Sequence, residues 1–276
     1  MQAIFLVRFL VGAALADGGR LTGWGPWLIG PALCWALAAA FAYGLNGVSD
    51  VAEDRVNGTG RPIARGDLSP ESAARMTWLC AAGAVAFALL AGNVALLGCV
   101  LAFLLIGCAY SAGPWPLKRS TTATSAAVLA MGLLSYASGW LASGVGRPSG
   151  ASVVLAVGMA LWMAAVGAVT KDFAHAEGDA AAGRRTSVTA WGEAPARWVA
   201  ALGALGVAAG FAVAARPYAA VLAPTAGVLA VGAGAVAVLC WTTRHDADRA
   251  GEPYRAFMVT QHIAHVVLLA RLAEVV

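Results

Sequence analysis

The 276-residue sequence predicts an all-α fold, a polytopic membrane bundle of about nine transmembrane helices, on three observations. Hydrophobic residues make up 60% of the chain and charged residues only 12%, with a mean hydropathy of +0.75, far from the balance of a soluble domain. Apolar stretches recur at about the length that a bilayer core demands. The basic residues gather in alternate loops.

The stretches run approximately over 1–16, 25–50, 70–91, 94–110, 120–143, 151–175, 194–214, 218–241 and 255–275. Crossing a hydrocarbon core of about 30 Å takes roughly 20 helical residues, and most of them reach that length. The first is short at its cytoplasmic end and begins within the interface. With no basic segment before it and no clear small-residue cleavage site, it reads as a membrane helix rather than a signal peptide. The second ends in an acidic block, the fourth in Tyr110, and the sixth in a second acidic block; the ninth carries His262 and His265. Only helices or closed barrels satisfy backbone polar groups in lipid, so 1–276 is expected to form one helical domain.

Loops after the second, fourth, sixth and eighth stretches, with flanking turns, hold 13 of the 18 basic residues, while the other loops hold only Arg20, Arg147 and Arg216. The positive-inside bias makes the even loops cytoplasmic, with the N-terminus inside and the C-terminus outside. Twelve of the 14 acidic residues, all but Asp17 and Glu274, lie on that same face. Acids contribute little to topology, so their collection there calls for another cause, and an active face is the simplest.

The pI near 9.0 follows from topology and from anionic lipid headgroups; no basic run or stacking module points to nucleic acid. Cys34, Cys80, Cys99, Cys108 and Cys240 are scattered through apolar segments without metal-ligand spacing and read as packing residues. Trp24, Trp27, Trp191, Trp198 and Trp241 fall near expected helix ends, where indoles favour the interface. The many Ala and Gly residues let helices approach closely.

Acidic side chains are costly near hydrocarbon, so two clusters of them argue for function. Asn46, Asp50 and Asp54 stand at i, i+4 and i+8, on one helical stripe about 80° wide. Asp172, His175 and Asp179, at i, i+3 and i+7, share a stripe of about 60°. Two oxygen-rich stripes face to face would hold hard divalent cations, with Mg²⁺ and a diphosphate the natural guests. The bland alternative for the first block is a solvated helix end paired with Arg55. Arg61, Arg65, Lys118, Arg184 and Arg185 read either as topology markers or as phosphate clamps, which Arg matches in a bidentate fork. Glu177 falls on the far side of its helix and suits a cap or an Arg partner. His175 suits hydrogen bonding better than Mg²⁺ ligation, and His262 and His265 read as cavity-facing or as satisfied core histidines.

Three blocks, in order, resemble those of the UbiA superfamily of intramembrane prenyltransferases. The first is N-x-x-x-D-x-x-x-D at Asn46, Asp50 and Asp54, followed by Arg61-Pro62-Ile63 and Gly66. The second, Tyr110-Ser111-Ala112-Gly113-Pro114-Trp115-Pro116-Leu117-Lys118, is similar to Y-S-x-x-P-x-x-L-K. The third, Lys171 to Thr186, resembles K-D-x-x-D-x-E-G-D-x-x-x-G-x-x-T with His175 in place of the middle Asp. In that departure it is similar to the chlorophyll-synthase-like branch, although nothing identifies a tetrapyrrole acceptor.

The resemblance implies a cytoplasmic-side active cavity and Mg²⁺-dependent transfer from a prenyl diphosphate to an acceptor held in the lipid bilayer; the compact form and brief loops suit a bacterial inner membrane. The resemblance also implies metal binding by Asn46, Asp50, Asp54, Asp172 and Asp179, and diphosphate contacts from Asn46, Arg61, Lys118 and Lys171. Tyr110 joins the four aspartates in the catalytic set as a wall or hydrogen-bond donor near the reacting carbon. A terpene cyclase using the same ionisation without an acceptor is the closer rival. A transporter is the distant one, disfavoured because the acids lie near one face and no internal repeat is evident. Acceptor identity and prenyl chain length have no readable code in apolar pocket walls.

Overall fold

A computed structural model describes residues 3–16 and 25–274, so the expectations for Asp17, Arg20 and Trp24 lie outside the described residues. Among these residues there is helix and no strand. The helices are α1 (Ala3–Ala16), α2 (Ile29–Ser49), α3 (Val51–Val56), α4 (Pro62–Arg65), α5 (Pro70–Leu90), α6 (Val94–Ser111), α7 (Thr121–Ala142), α8 (Gly150–Trp162), α9 (Ala168–Thr170), α10 (Ala176–Ala181), α11 (Ser187–Trp191), α12 (Glu193–Ala214), α13 (Ala219–Thr242) and α14 (Glu252–Glu274).

Among the described residues, eight helical stretches are long and apolar enough to cross a membrane. The first expected crossing, α1, has 14 residues as described, about 21 Å at 1.5 Å per residue, short of the bilayer core. Caps set several starts. Ser69 Oγ accepts from Ser72 N (3.2 Å) at α5, where Pro70 takes the first helical position. Asn93 Oδ1 accepts from Leu96 N (3.0 Å) at α6, and Ser149 Oγ from Ser152 N (3.1 Å) at α8.

Two apolar cores fill the bundle. One packs Trp35, Phe41, Leu96 and Phe103 from α2 and α6 with Phe5 and Phe9 of α1. The other packs Leu155, Met159, Trp162, Leu222, Leu229 and Leu268 from α8, α13 and α14. Helices α1 and α7 belong to both and join them, Val11 and Tyr136 facing the second core, Phe9 and Met131 the first. Their crossing is tight: a Cβ at Gly12 would collide with the Tyr136 carbonyl, and one at Gly139 with Phe9 O and Ala13 N. Outward faces keep Leu79, Leu90, Val94 and Val231 at least 70% exposed, as a lipid-facing surface requires. All five cysteines are free.

The helices on which the two acidic blocks were expected are interrupted. Helix α2 stops at Ser49; Asp50 caps it with φ −99° and ψ 8°, and α3 starts anew. The sixth span widens into a π turn at Met163–Gly167, tightens to a 3-10 turn at Lys171–Ala174, and breaks at His175 (φ −120°, ψ 8°) before α10. Backbone bonds nevertheless keep the i, i+4 register: Asp50 N to Asn46 O is 3.0 Å, Asp54 N to Asp50 O 2.8 Å, and Asp179 N to His175 O 2.9 Å. Each block is thus an elbow, its carboxylates still turned one way.

Candidate functional site

The second and third blocks meet through hydrogen bonds between their turns, and the first is tied to both through ion pairs of Asp50 with Lys118 and Arg184. Arg185 N donates to Arg119 O (2.8 Å) and Thr121 N to Arg185 O (3.3 Å), which lays the turn after Lys118 against the turn after Arg184. Gly178 of α10 abuts the Asn57 amide at the end of α3, an approach that a Cβ would block. Asp172 Oδ2 accepts from Ser187 N and Ser187 Oγ, both at 2.9 Å, anchoring the sixth span to the start of α11.

The result is one small cavity, about 30 Å³, lined by Asp50, Asp54, Arg61, Tyr110, Lys118, Lys171, Asp172 and Asp179, with Glu53, His175 and Arg184 beside them. Of the residues singled out above for metal, diphosphate or catalysis, Asn46, Arg65 and Arg185 do not line it, and Arg65 pairs instead with Asp67. The Asn46 side chain stands behind Asp50: its Nδ2 donates to Asp50 Oδ2 (2.8 Å), and its Oδ1 is buried without a hydrogen-bond partner among the described residues. Glu177 is exposed and off the cavity. Arg185 and Arg119 line a separate groove beside Trp115. His265 is a satisfied core residue, its Nδ1 on Gln261 O and its Nε2 accepting from the Tyr136 hydroxyl, both at 2.5 Å.

Three of the four aspartates, Asp50, Asp54 and Asp179, are held by cations, whereas Asp172 is held by Ser187. Asp50 Oδ1 lies 2.6 Å from both Lys118 Nζ and Arg184 Nη2. Arg61 Nη1 is 2.9 Å from Asp54. Arg184 also reaches Glu53 Oε2 (2.7 Å) and Asp179 Oδ1 (3.3 Å). Burial alone would raise the Asp50 carboxyl, but Lys118, then Arg184, hold it well below the usual carboxylate range. Glu53, half-buried, is pushed up by desolvation and by its hydrogen bond with Asp50. Burial lowers Lys118 despite Asp50, while Arg184 is raised by its carboxylates against the burial that opposes them.

Sequence reasoning left Arg184 between topology and phosphate binding and passed over Glu53. The i, i+3 spacing from Asp50 to Glu53 was the signal available, since it puts both on one face. Among the described residues no three of His, Cys, Asp or Glu converge to hold a metal as they stand. The donor set is nonetheless one of hard oxygens, and the orphaned Asn46 Oδ1 adds another, which suits Mg²⁺ rather than a soft metal.

A helical membrane bundle with carboxylates and cations gathered at one end defines the class: an integral membrane protein with a charged site at the edge of its spans. The chain belongs to the UbiA prenyltransferase family, whose model matches residues 5–263. No curated protein matches it by sequence. Among solved structures it is similar to a UbiA homolog from Archaeoglobus fulgidus bound to DMAPP and Mg²⁺, with a TM-score of 0.70 and 17% identity over 97% of this chain and 96% of that one. It also resembles the apo UbiA homolog from Aeropyrum pernix K1 (TM-score 0.61, 17% identity, 96% of each chain). A structure of digeranylgeranylglyceryl phosphate synthase matches at TM-score 0.62 and 15% identity, over 99% of this chain and 98% of that one. These likenesses show the fold.

Proposed function

We propose that the protein transfers a prenyl group from a prenyl diphosphate to a small aromatic or lipid acceptor within the membrane, dependent on Mg²⁺ and releasing pyrophosphate. The observation that carries this reading is the convergence of Asp50, Asp54, Asp172 and Asp179 with Arg61, Lys118, Lys171 and Arg184 on one cavity. The A. fulgidus homolog, which binds DMAPP or GPP with Mg²⁺, supports it by analogy of fold.

The ion pairs are arranged for exchange. Phosphate oxygens compete for Arg61, Lys118 and Arg184, and each cation that turns to phosphate frees a carboxylate as an oxygen donor. Asn46, Asp50, Asp54, Asp172 and Asp179 are the residues that would hold Mg²⁺, which when bound supplies Lewis-acid stabilisation of charge on the leaving pyrophosphate. Lys171 and the arginines share that load. The C1–O bond breaks with its electron pair leaving on pyrophosphate; a nucleophilic atom of the acceptor bonds to C1, and the acceptor gives up a proton. Tyr110 walls the reacting carbon from water, which would otherwise capture the cation. Within the family, K-D-F-x-x-x-E-G-D at 171–179 places the chain with the chlorophyll-synthase-like branch in our reading, without a tetrapyrrole acceptor. One domain over 1–276, a bacterial inner-membrane location and a cytoplasmic N-terminus complete the proposal.

The test is pyrophosphate release by detergent-purified protein supplied with geranyl, farnesyl or geranylgeranyl diphosphate, with and without a lipid-extract acceptor. Release should need both Mg²⁺ and acceptor, and Asp50→Ala and Asp172→Ala should each lose at least about 100-fold, of the order seen when a transition-state contact is removed. Acceptor-free release with a hydrocarbon product would transfer the assignment to a cyclase. Release in neither condition, with both variants equal to wild type, would sink the diphosphate reading.

A further inference from the structure

A second cavity, about 530 Å³, opens between α12 and α13. It lies at the same end of the bundle as the charged site, since Arg197 on its wall stacks 4.8 Å over Phe173, the neighbour of Asp172. Its floor is apolar, formed by Ala201, Leu202, Leu205 and Val238. Its mouth carries Trp198 and Trp241, ring centroids 5.8 Å apart and both more than half exposed, as at a membrane interface.

The charges at this mouth do not balance. Arg197 is consumed by the fold, pairing with Glu193 (2.9 Å) and donating to Thr243 Oγ1 (2.9 Å) and Cys240 O (3.2 Å). Arg244 is not. Its guanidinium carbon sits 3.7 Å over the Trp241 ring, and its Nε donates to His245 Nε2 (2.9 Å). Its Nη1 is buried with no hydrogen-bond partner, and among the described residues no carboxylate pairs with it. A buried N–H without an acceptor is costly, and a guanidinium held by an indole at the headgroup level is a ready phosphate donor. The cavity volume falls within the roughly 300–1,000 Å³ of small-molecule sites.

We propose that this groove binds an anionic phospholipid, with an acyl chain along the apolar floor and the phosphate at Arg244. Basic pockets between transmembrane helices recognise such headgroups by charge and desolvation together. The inference is independent of the reaction assigned above.

The test places the protein in phosphatidylcholine nanodiscs containing a minor fraction of phosphatidylglycerol or phosphatidylcholine, each with brominated acyl chains, and reads tryptophan quenching. The brominated phosphatidylglycerol should be preferred roughly fivefold, the value of one cation at the surface. That preference should disappear in Trp198→Phe/Trp241→Phe, which removes the local reporters, and in Arg244→Gln. Arg244→Lys should keep part of it. Ala201→Phe, which fills the floor and leaves the guanidinium in place, should abolish it. Equal quenching by the two lipids, or a preference surviving in Arg244→Gln or in the tryptophan double variant, overturns the proposal.

Discussion

Arg184 touches three carboxylates from two blocks, with its own side chain only 9% exposed. Removing it would leave Asp50, Glu53 and Asp179 facing one another without their shared cation, so Arg184→Ala should destabilise the metal-free protein by about 3 kcal/mol. The same variant exposes oxygen donors, so added Mg²⁺ should raise its melting temperature more than it raises that of wild type. An equal Mg²⁺ effect in the two proteins would show that these carboxylates are not metal ligands. The aspartates are legible in the sequence because acids are rare in so apolar a chain and their spacing places them on one face. Arg184 is harder to read, since a cytoplasmic loop collects arginines for topology whether or not any of them has a second task.

At the level of elements, the spans follow directly from apolar length, but their ends do not. Nothing in the run from Val153 to Val169 marks the π turn, because a wider turn is indifferent to which apolar residue occupies it. The elbow at Asp50 is equally silent, since Ser49-Asp50-Val51 contains neither Gly nor Pro. Close approach is partly legible, as small residues, but its partner is not. Gly139 meets the α1 backbone, which has no rotamer by which to yield, so Gly139→Ala should cost about 1–3 kcal/mol in thermal unfolding. Gly206→Ala, where nothing lies within 4 Å of the new Cβ, serves as the control and should be neutral or stabilising. Equal behaviour of the two variants would contradict the packing of α1 on α7.

On the scale of the molecule, the charge bias and the helix count make separate demands. Nine crossings put the C-terminus outside when the N-terminus is inside, whereas α1 alone is too short to cross as described. With the even loops cytoplasmic the C-terminus lies outside whether or not α1 crosses, so the N-terminus decides: Gln2→Cys in a cysteine-free background should be shielded from an impermeant maleimide in intact cells, and labelling there would leave α1 at the interface and reduce the crossings to eight.

The site also lies where the two cores approach each other. Asp50 and Asp54 extend from α2, which is packed in the first core, while Asp172, Asp179 and Arg184 follow the sixth span, packed in the second. A ligand that engages both acidic blocks must therefore tie one half of the bundle to the other. Metal alone meets Asp50, Asp54 and Asp179 already paired with cations, and pyrophosphate alone meets Arg61, Lys118 and Arg184 already paired with carboxylates, so each should bind weakly. Supplied together, they satisfy both sets of charges released by the exchange. Mg²⁺ with pyrophosphate should thus stabilise the detergent-solubilised protein by more than the sum of the two added singly, approaching about 2.7 kcal/mol at a hundredfold excess over the dissociation constant. Asp172→Ala should lose the excess, because its ligand can no longer reach across from the first block to the second. Strictly additive shifts, or an excess unchanged in Asp172→Ala, would mean that the two acidic blocks do not share one ligand.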